Sequence, residues 1–281
     1  GFRLLWHELA FRQGLFILLL APEIYLPLRT LGAWRHARMD ALAAAGELAR
    51  LEDIPAARMP VAGAPLQKSS PPVIAVQSVG YGHAGRIAAL RACALDINPR
   101  CVTALLGASG AGKSTLIDLL LGFAAPASGS IFVDGADLAG VDPAAWRERI
   151  AWVPQRTHVF EGDVRDNLLL ANPDADEAAI ERAGNASGLG SVVARLPQGW
   201  KTRLGEHGLG LSGGELQRLA LARAFLREQA DVLLLDEPTA HLDAASAARI
   251  DAVIRELAAA RTVLLVAHRL EAAQRADWIA V

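Results

Sequence analysis

The stretch Gly107-Ala108-Ser109-Gly110-Ala111-Gly112-Lys113-Ser114-Thr115 constrains the fold of this chain more than any other. It directly follows an apolar run, Val102 to Leu106, and opens a helix-forming stretch, Ser114 to Gly122. Strand, glycine-rich loop and helix in that order are what phosphate binding by a G-x-x-x-x-G-K-[ST] loop requires. Glycines let the backbone curl until its N–H groups point at phosphate oxygens, and the start of the helix adds a favourable dipole. Gly107, Ser109, Gly110, Ala111, Gly112 and Thr115 are therefore candidate phosphate contacts. Lys113 is spaced to reach the β- and γ-phosphates, and the Ser114 hydroxyl to ligate Mg²⁺. A chance glycine-rich turn rarely meets both the full pattern and its flanks.

Val232 to Leu235 and Thr262 to Ala267 are as continuously apolar as Val102 to Leu106, and these runs are bounded by Gly, Asp or His. Strands buried on both faces read this way, which predicts an α/β fold with a mostly parallel sheet covered by helices. The run from Val232 ends in two adjacent acids, Asp236 and Glu237. Asp236 suits the metal, directly or through water. Glu237 suits the general base that orients and activates an attacking water. An acidic pair that merely caps a strand is the plainer reading, and the phosphate loop in the same chain removes most of its weight.

The 281 residues allow one large domain or two small ones. With 28 Lys and Arg against 30 Asp and Glu there is no basic surplus, and no nucleic-acid partner is expected. Two cysteines, Cys93 and Cys101, make no disulfide scaffold and show no metal-type spacing, so a reducing, cytosolic setting is expected for most of the chain. A start at Gly1 and an end inside the apolar run Trp278-Ile279-Ala280-Val281 read as a fragment of a longer protein. From 55 to 72 the chain is rich in Pro, Ala, Gly and Ser, a linker composition.

Gly14 to Leu28 is nearly all apolar but is interrupted by Pro22, Glu23 and Pro27. A membrane-spanning helix needs about 20 mainly apolar residues, so three readings compete: signal-peptide core, buried soluble helix, or part of a membrane span. No small-residue cleavage site follows, which argues against the first. Arg29, Arg35, His36 and Arg38 come next and put the C-terminal side of a span in the cytoplasm. Ala33 to Leu51 has helical composition and extends such a helix into the cytosol.

A phosphate loop and an acid-tipped strand also serve kinases, helicases and GTPases. Leu211-Ser212-Gly213-Gly214-Glu215, a short helix ahead of Asp236 and followed by Gln217-Arg218, resembles the signature of ATP-binding cassette (ABC) ATPases. The resemblance implies a P-loop NTPase fold with a helical subdomain, acting on ATP with Mg²⁺. It also implies that Ser212, Gly213 and Gly214 grip ATP held by an opposite subunit. The family's usual fifth residue is Gln, and Glu215 is a departure expected to leave fold and family intact and to slow turnover.

Further matches follow in order. Gln155, in Trp152-Val153-Pro154-Gln155, matches the glutamine that contacts Mg²⁺ and senses the membrane domain. Asp243, in His241-Leu242-Asp243, matches the loop joining the two active sites, and His268 matches the switch histidine that contacts the γ-phosphate. An aromatic usually stacks on adenine where His83 stands. Tyr81, two residues earlier, faces the same side of a strand, so both are candidates.

Gly205-Glu206 resembles a short loop of exporters, and a membrane-derived segment ahead of the ATPase points the same way. The run Ala21-Pro22-Glu23-Ile24-Tyr25-Leu26-Pro27-Leu28-Arg29 resembles the last transmembrane helix of CydD-type subunits. Those pair with CydC-type subunits to export cysteine and glutathione across the bacterial cytoplasmic membrane and support cytochrome bd assembly. The layout implied is 1–54 for the end of the transmembrane domain, 55–72 for the linker and 73–281 for the nucleotide-binding domain, truncated at its C-terminus. An ionisable group at membrane depth is costly, and prolines kink a helix. Glu23 then either faces a polar pathway for a zwitterionic thiol or sits at an interface. An exporter of lipids, peptides or drugs is the nearest rival, and a soluble ABC ATPase of translation or DNA repair lacks the segment before Ala33.

Overall fold

The computed structural model describes residues 10–52, 71–82, 89–205, 210–268 and 270–281. Most of the expected linker, together with His83 and Glu206, lies outside the described residues. The chain divides into two units, Gly1–Arg58 and Met59–Val281.

Among its described residues the first unit is one helix, α1 (Phe11–Glu52), of 42 residues, which continues through Pro22 and Pro27. Each proline removes one backbone donor from the ladder, while the Thr30 hydroxyl donates to the Pro27 carbonyl at 2.8 Å. At ~1.5 Å rise per residue the helix is about 63 Å long, roughly twice a ~30 Å hydrocarbon core. By length and composition it can cross a membrane. Phe16, Leu18, Leu19, Ile24 and Leu26 are exposed along it.

The second unit is built on two sheets. The first is parallel and five-stranded, in the order β11-β3-β10-β9-β6. Its strands are β3 (Val102–Leu106), β6 (Ile150–Val153), β9 (Val232–Asp236), β10 (Thr262–Ala267) and β11 (Trp278–Ala280). The three apolar runs of the sequence are thus β3, β10 and β9, neighbours at the centre. Their residues divide by the two-residue period of a strand. Leu233, Leu235, Val263 and Leu265 enter one core, and Val232, Leu234, Leu264 and Val266 enter the other. In register, Val266 lies beside Asp236, Ala267 beside Leu106, and Val153 beside Leu235.

The second sheet, β2-β1-β4-β5, is antiparallel and was not anticipated. It comprises β1 (Ile74–Tyr81), β2 (Leu90–Ile97), β4 (Ser128–Val133) and β5 (Ala136–Asp137). One face packs inward through Ile74, Val76, Ile97 and Ile131 and the other meets solvent, so its strands lack the continuous apolar run that marks a central parallel strand. Between the sheets lies α2 (Lys113–Leu120), which contributes Leu116, Ile117, Leu119 and Leu120 to the shared core. It ends before the predicted Gly122, because Gly122 at φ +69° breaks the helical path. The Gly122 and Phe123 amides turn back to the Leu119 and Asp118 carbonyls, a Schellman closure.

Short α3 (Pro143–Glu148) sets Trp146 into this core. On the opposite face of the parallel sheet, α4 (Val164–Leu169), α5 (Glu177–Ser187), α6 (Leu189–Val193) and α7 (Gly213–Leu226) build a helical part around Leu168, Ile180, Leu189 and Leu219. A two-stranded ribbon, β7 (Gly162–Asp163) with β8 (Arg203–Leu204), borders α4. α8 (Ala244–Ala258) joins β9 to β10, and α9 (Leu270–Ala273) precedes β11.

Candidate nucleotide-hydrolysis site

The loop Gly107–Gly112 leaves the C-terminal end of β3 and enters α2. Gly110 and Gly112 take φ of +81° and +92°. At Gly112 a Cβ would stand 2.5 Å from the Ala89 carbonyl oxygen and 2.7 Å from Leu90 Cδ2. Only glycine fits there. Lys113 is 7% exposed. Its ammonium donates to the Gly107 and Ala108 carbonyls, each at 2.8 Å, which holds it across the mouth of its own loop. Ser109, Gly110, Ala111 and Ser114 are exposed, and Thr115 is half-buried.

Asp236 ends β9, and the Ser114 hydroxyl donates to its Oδ2 at 3.5 Å. Burial first, and then the neighbouring Glu237 charge, push the Asp236 carboxyl above its usual range; Ser114, His268 and Lys113 offset part of this. A buried carboxylate held next to another, with a serine hydroxyl alongside, is a site that gains by taking a cation. Ser114 and Asp236 therefore fit Mg²⁺, which supplies charge neutralisation for phosphate oxygens when bound.

Glu237 takes φ +52°, uncommon for a residue with a Cβ. Its amide still continues the ladder to the Val266 carbonyl at 3.1 Å. The turn swings the carboxylate toward the loop after β6 and the end of β10. Gln155 Nε2 donates to Glu237 Oε1 at 2.9 Å, and His268 Nε2 stands 2.7 Å from the same oxygen. Six residues from four segments thus meet at the C-terminal ends of the parallel strands: Lys113, Ser114, Gln155, Asp236, Glu237 and His268. A cavity of about 610 Å³ adjoins Glu237 and His268.

The signature lies at the start of α7. Ser212 is the N-cap, Gly213 is exposed and Gly214 half-buried. A Cβ on Gly214 would stand 2.8 Å from the His241 carbonyl, so this loop rests on the one carrying Asp243. Asp243 caps α8 by accepting from the Ser246 amide at 2.9 Å. Capping by Ser246 holds its carboxyl below the usual range. Arg218, one turn into α7, reaches the Ser246 hydroxyl at 2.8 Å and Asp243 Oδ2 at 3.8 Å. Tyr81, at the end of β1, is half-buried and packs against the core between the sheets.

Two residues have supporting roles that the sequence did not assign, although Gln217 was named there as a neighbour of the signature. Buried Gln217 stands behind the site, with Nε2 3.5 Å from the Glu237 carbonyl. Arg223 donates to the His158 and Asn167 carbonyls at 2.6 and 2.8 Å and to Asn167 Oδ1 at 2.6 Å, tying α7 to the segment after Gln155. Burial pushes its guanidinium down to about 10. Gln217 lies three residues before the buried Ala220 and four before Leu221, a helical spacing that marks it as core-facing.

A phosphate loop, an acid-tipped strand and a histidine beyond the next strand define a P-loop nucleoside triphosphatase. The ABC transporter family profile matches residues 90–240. The chain belongs to that family, and its nucleotide-binding unit hydrolyses ATP with Mg²⁺. It is 37% identical over 267 residues to the transport ATP-binding protein AarD of Providencia stuartii, covering 95% of this chain and 45% of that protein. It is 36% identical over 267 residues to the glutathione/L-cysteine transport system ATP-binding/permease protein CydD of Escherichia coli, covering 94% and 44%. Among solved structures, a bacterial Atm1-family ABC exporter with ATP bound superposes with a TM-score of 0.77 at 32% identity, covering 92% of this chain and 45% of that one. The chain thus spans less than half the length of the curated relatives it matches.

Proposed function

We propose that this chain is the motor end of a bacterial exporter of small thiols, with residues 1–54 ending the transmembrane domain, 55–72 a linker and 73–281 the ATP-hydrolysing unit. The observation that carries the hydrolytic part is the shared oxygen of Glu237, which Gln155 and His268 both reach. Placed there, Glu237 takes the proton of an attacking water as the water oxygen bonds to the γ-phosphorus and the bond to ADP breaks. Lys113 and the loop amides hold the phosphates, Ser114 and Asp236 with Gln155 hold Mg²⁺, and His268 contacts the γ-phosphate.

Two such units close head to tail, each site completed by Ser212, Gly213 and Gly214 of the other, with Asp243 between the sites. ATP favours the closed pair, and hydrolysis removes that preference. The membrane is crossed by α1, with the hydrolytic unit on the cytoplasmic side. A CydC-type subunit is the partner and cysteine or glutathione the cargo, readings supported by the similarity to E. coli CydD and by the Ala21–Arg29 run. Support for cytochrome bd assembly follows from the same reading. The similarity to an Atm1-family exporter favours a second reading, an exporter with another cargo.

The test follows ATP-driven uptake of labelled cysteine and glutathione into inverted vesicles carrying the full-length protein and its partner subunit. Uptake that disappears in Glu237→Gln supports the thiol exporter. ATP hydrolysis sensitive to that substitution, without thiol uptake, retains the motor and rejects the cargo.

A further inference from the structure

The start of α7 is closed on itself. Glu215 Oε2 accepts from the Ser212 amide at 2.8 Å and from the Ser212 hydroxyl at 2.9 Å. The Glu215 amide returns a longer bond, 3.4 Å, to the Ser212 hydroxyl. A serine hydroxyl carries one proton, and here it is directed at the carboxylate. A glutamine at the same position satisfies a capping box equally well but carries no charge. The difference matters because hydrogen bonds to an ionised acceptor are about twice as strong as neutral ones. The carboxylate also offsets the partial positive charge of the helix start, the feature that attracts a phosphate. Arg195, 3.4 Å from Glu215 Oε1, is largely exposed and screens little of that charge. The Ser212 bonds, foremost, hold the Glu215 carboxyl below its usual range, so it is ionised at neutral pH.

We propose that Glu215 is a positioning residue for the signature: by holding the hydroxyl and the amide of Ser212 at the N-cap of α7, it raises the ATP concentration at which the composite site completed by this chain closes. The inference rests on the reading of Ser212, Gly213 and Gly214 as contacts to ATP bound by the partner subunit. To reach a γ-phosphate, Ser212 must release the carboxylate, and the phosphate must approach a helix start that already carries a negative charge.

The experiment uses the full-length transporter with its partner subunit in lipid vesicles, comparing wild type with Glu215→Gln and Ser212→Ala. Glu215→Gln lowers the half-saturating ATP concentration about two- to tenfold, the range of a charge at a helix start, with kcat moved less. Inhibition by ADP, which lacks the γ-phosphate, keeps its constant; a merely structural effect on the cap would move both nucleotides alike. An unchanged or raised half-saturating concentration in Glu215→Gln, or an equal shift for ADP, overturns the proposal while leaving the composite site intact. Ser212→Ala with unaltered ATP dependence and turnover overturns the composite-site reading itself, and the proposal with it.

Discussion

Trp146 is the largest fully buried side chain among the described residues, and replacing it with phenylalanine has a calculable consequence. Its indole N–H donates to the Leu120 carbonyl at 2.6 Å, and Leu120 is the last residue of α2. Carbonyls at a helix C-terminus have no partner within the helix, and here the indole supplies one inside the core. Trp146→Phe leaves that carbonyl buried without its donor, at about 1–3 kcal/mol. The space vacated by the smaller ring adds about 0.5–1.5 kcal/mol, the range for removing small groups from a packed core. The sum is about 1.5–4.5 kcal/mol. For a unit of this size each kcal/mol lowers the unfolding temperature by ~2–4 °C, so the expected drop is about 3–18 °C. Thermal unfolding of the purified chain in detergent, followed by circular dichroism without nucleotide, measures it. Trp152→Phe is the control: that side chain is 37% exposed, and its loss is expected to cost no more than ~0.5 kcal/mol. If the two variants unfold within ~2 °C of each other, the indole bond is not what secures the end of α2.

Glu237→Gln is expected to cut phosphate release about 10²- to 10⁴-fold while ATP binding, followed by fluorescence of a nucleotide analogue, persists; comparable hydrolysis in the variant would remove Glu237 from the role of base. Asp236→Asn is expected to raise the unfolding temperature of the nucleotide-free chain and to abolish Mg²⁺-dependent hydrolysis. The sign follows from the raised carboxyl: the folded state holds the proton more tightly than the unfolded one, so ionised Asp236 destabilises the fold increasingly as pH rises from about 3.8 through its folded value, and fully above it. A variant less stable than the parent at neutral pH would contradict this. Gly112→Ala forces a Cβ against Ala89 and Leu90 at φ +92° and is expected to abolish ATP binding in equilibrium dialysis; wild-type affinity would show that the loop relaxes.

The parts that strand physics marks most strongly were legible beforehand. Continuous apolar runs gave away β3, β9 and β10, because a strand covered on both faces has no polar alternation to disguise it. The phosphate loop and the acids at 236 and 237 stood at strand ends, where residue type and chain position identify them together. The antiparallel sheet did not declare itself: β1 carries a positive-φ serine, Ser78, and shifts of register against both β2 and β4, which blur a period of two. The meeting of Gln155 and His268 on one oxygen of Glu237 was equally invisible, since it depends on strands far apart in sequence lying side by side. Asp243 was picked out for a loop position, yet its capping of α8 and its reach from Arg218 are properties of two helices packed together.

Strand register also acts as a levelling device. Val153 lies beside Leu235, so Gln155 and Glu237 follow two residues later at a common height; Ala267 lies beside Leu106, so His268 and Gly107 leave their strands together. The chemistry is thus gathered at one storey by hydrogen-bonded backbone, and the loops above it need only turn their side chains inward. Deleting one residue from β10 would drop His268 by ~3.3 Å and turn it to the opposite face of the sheet. Length changes are therefore barred within these strands and in the short turns that carry the site residues, and are better borne in connections that leave the catalytic level in place.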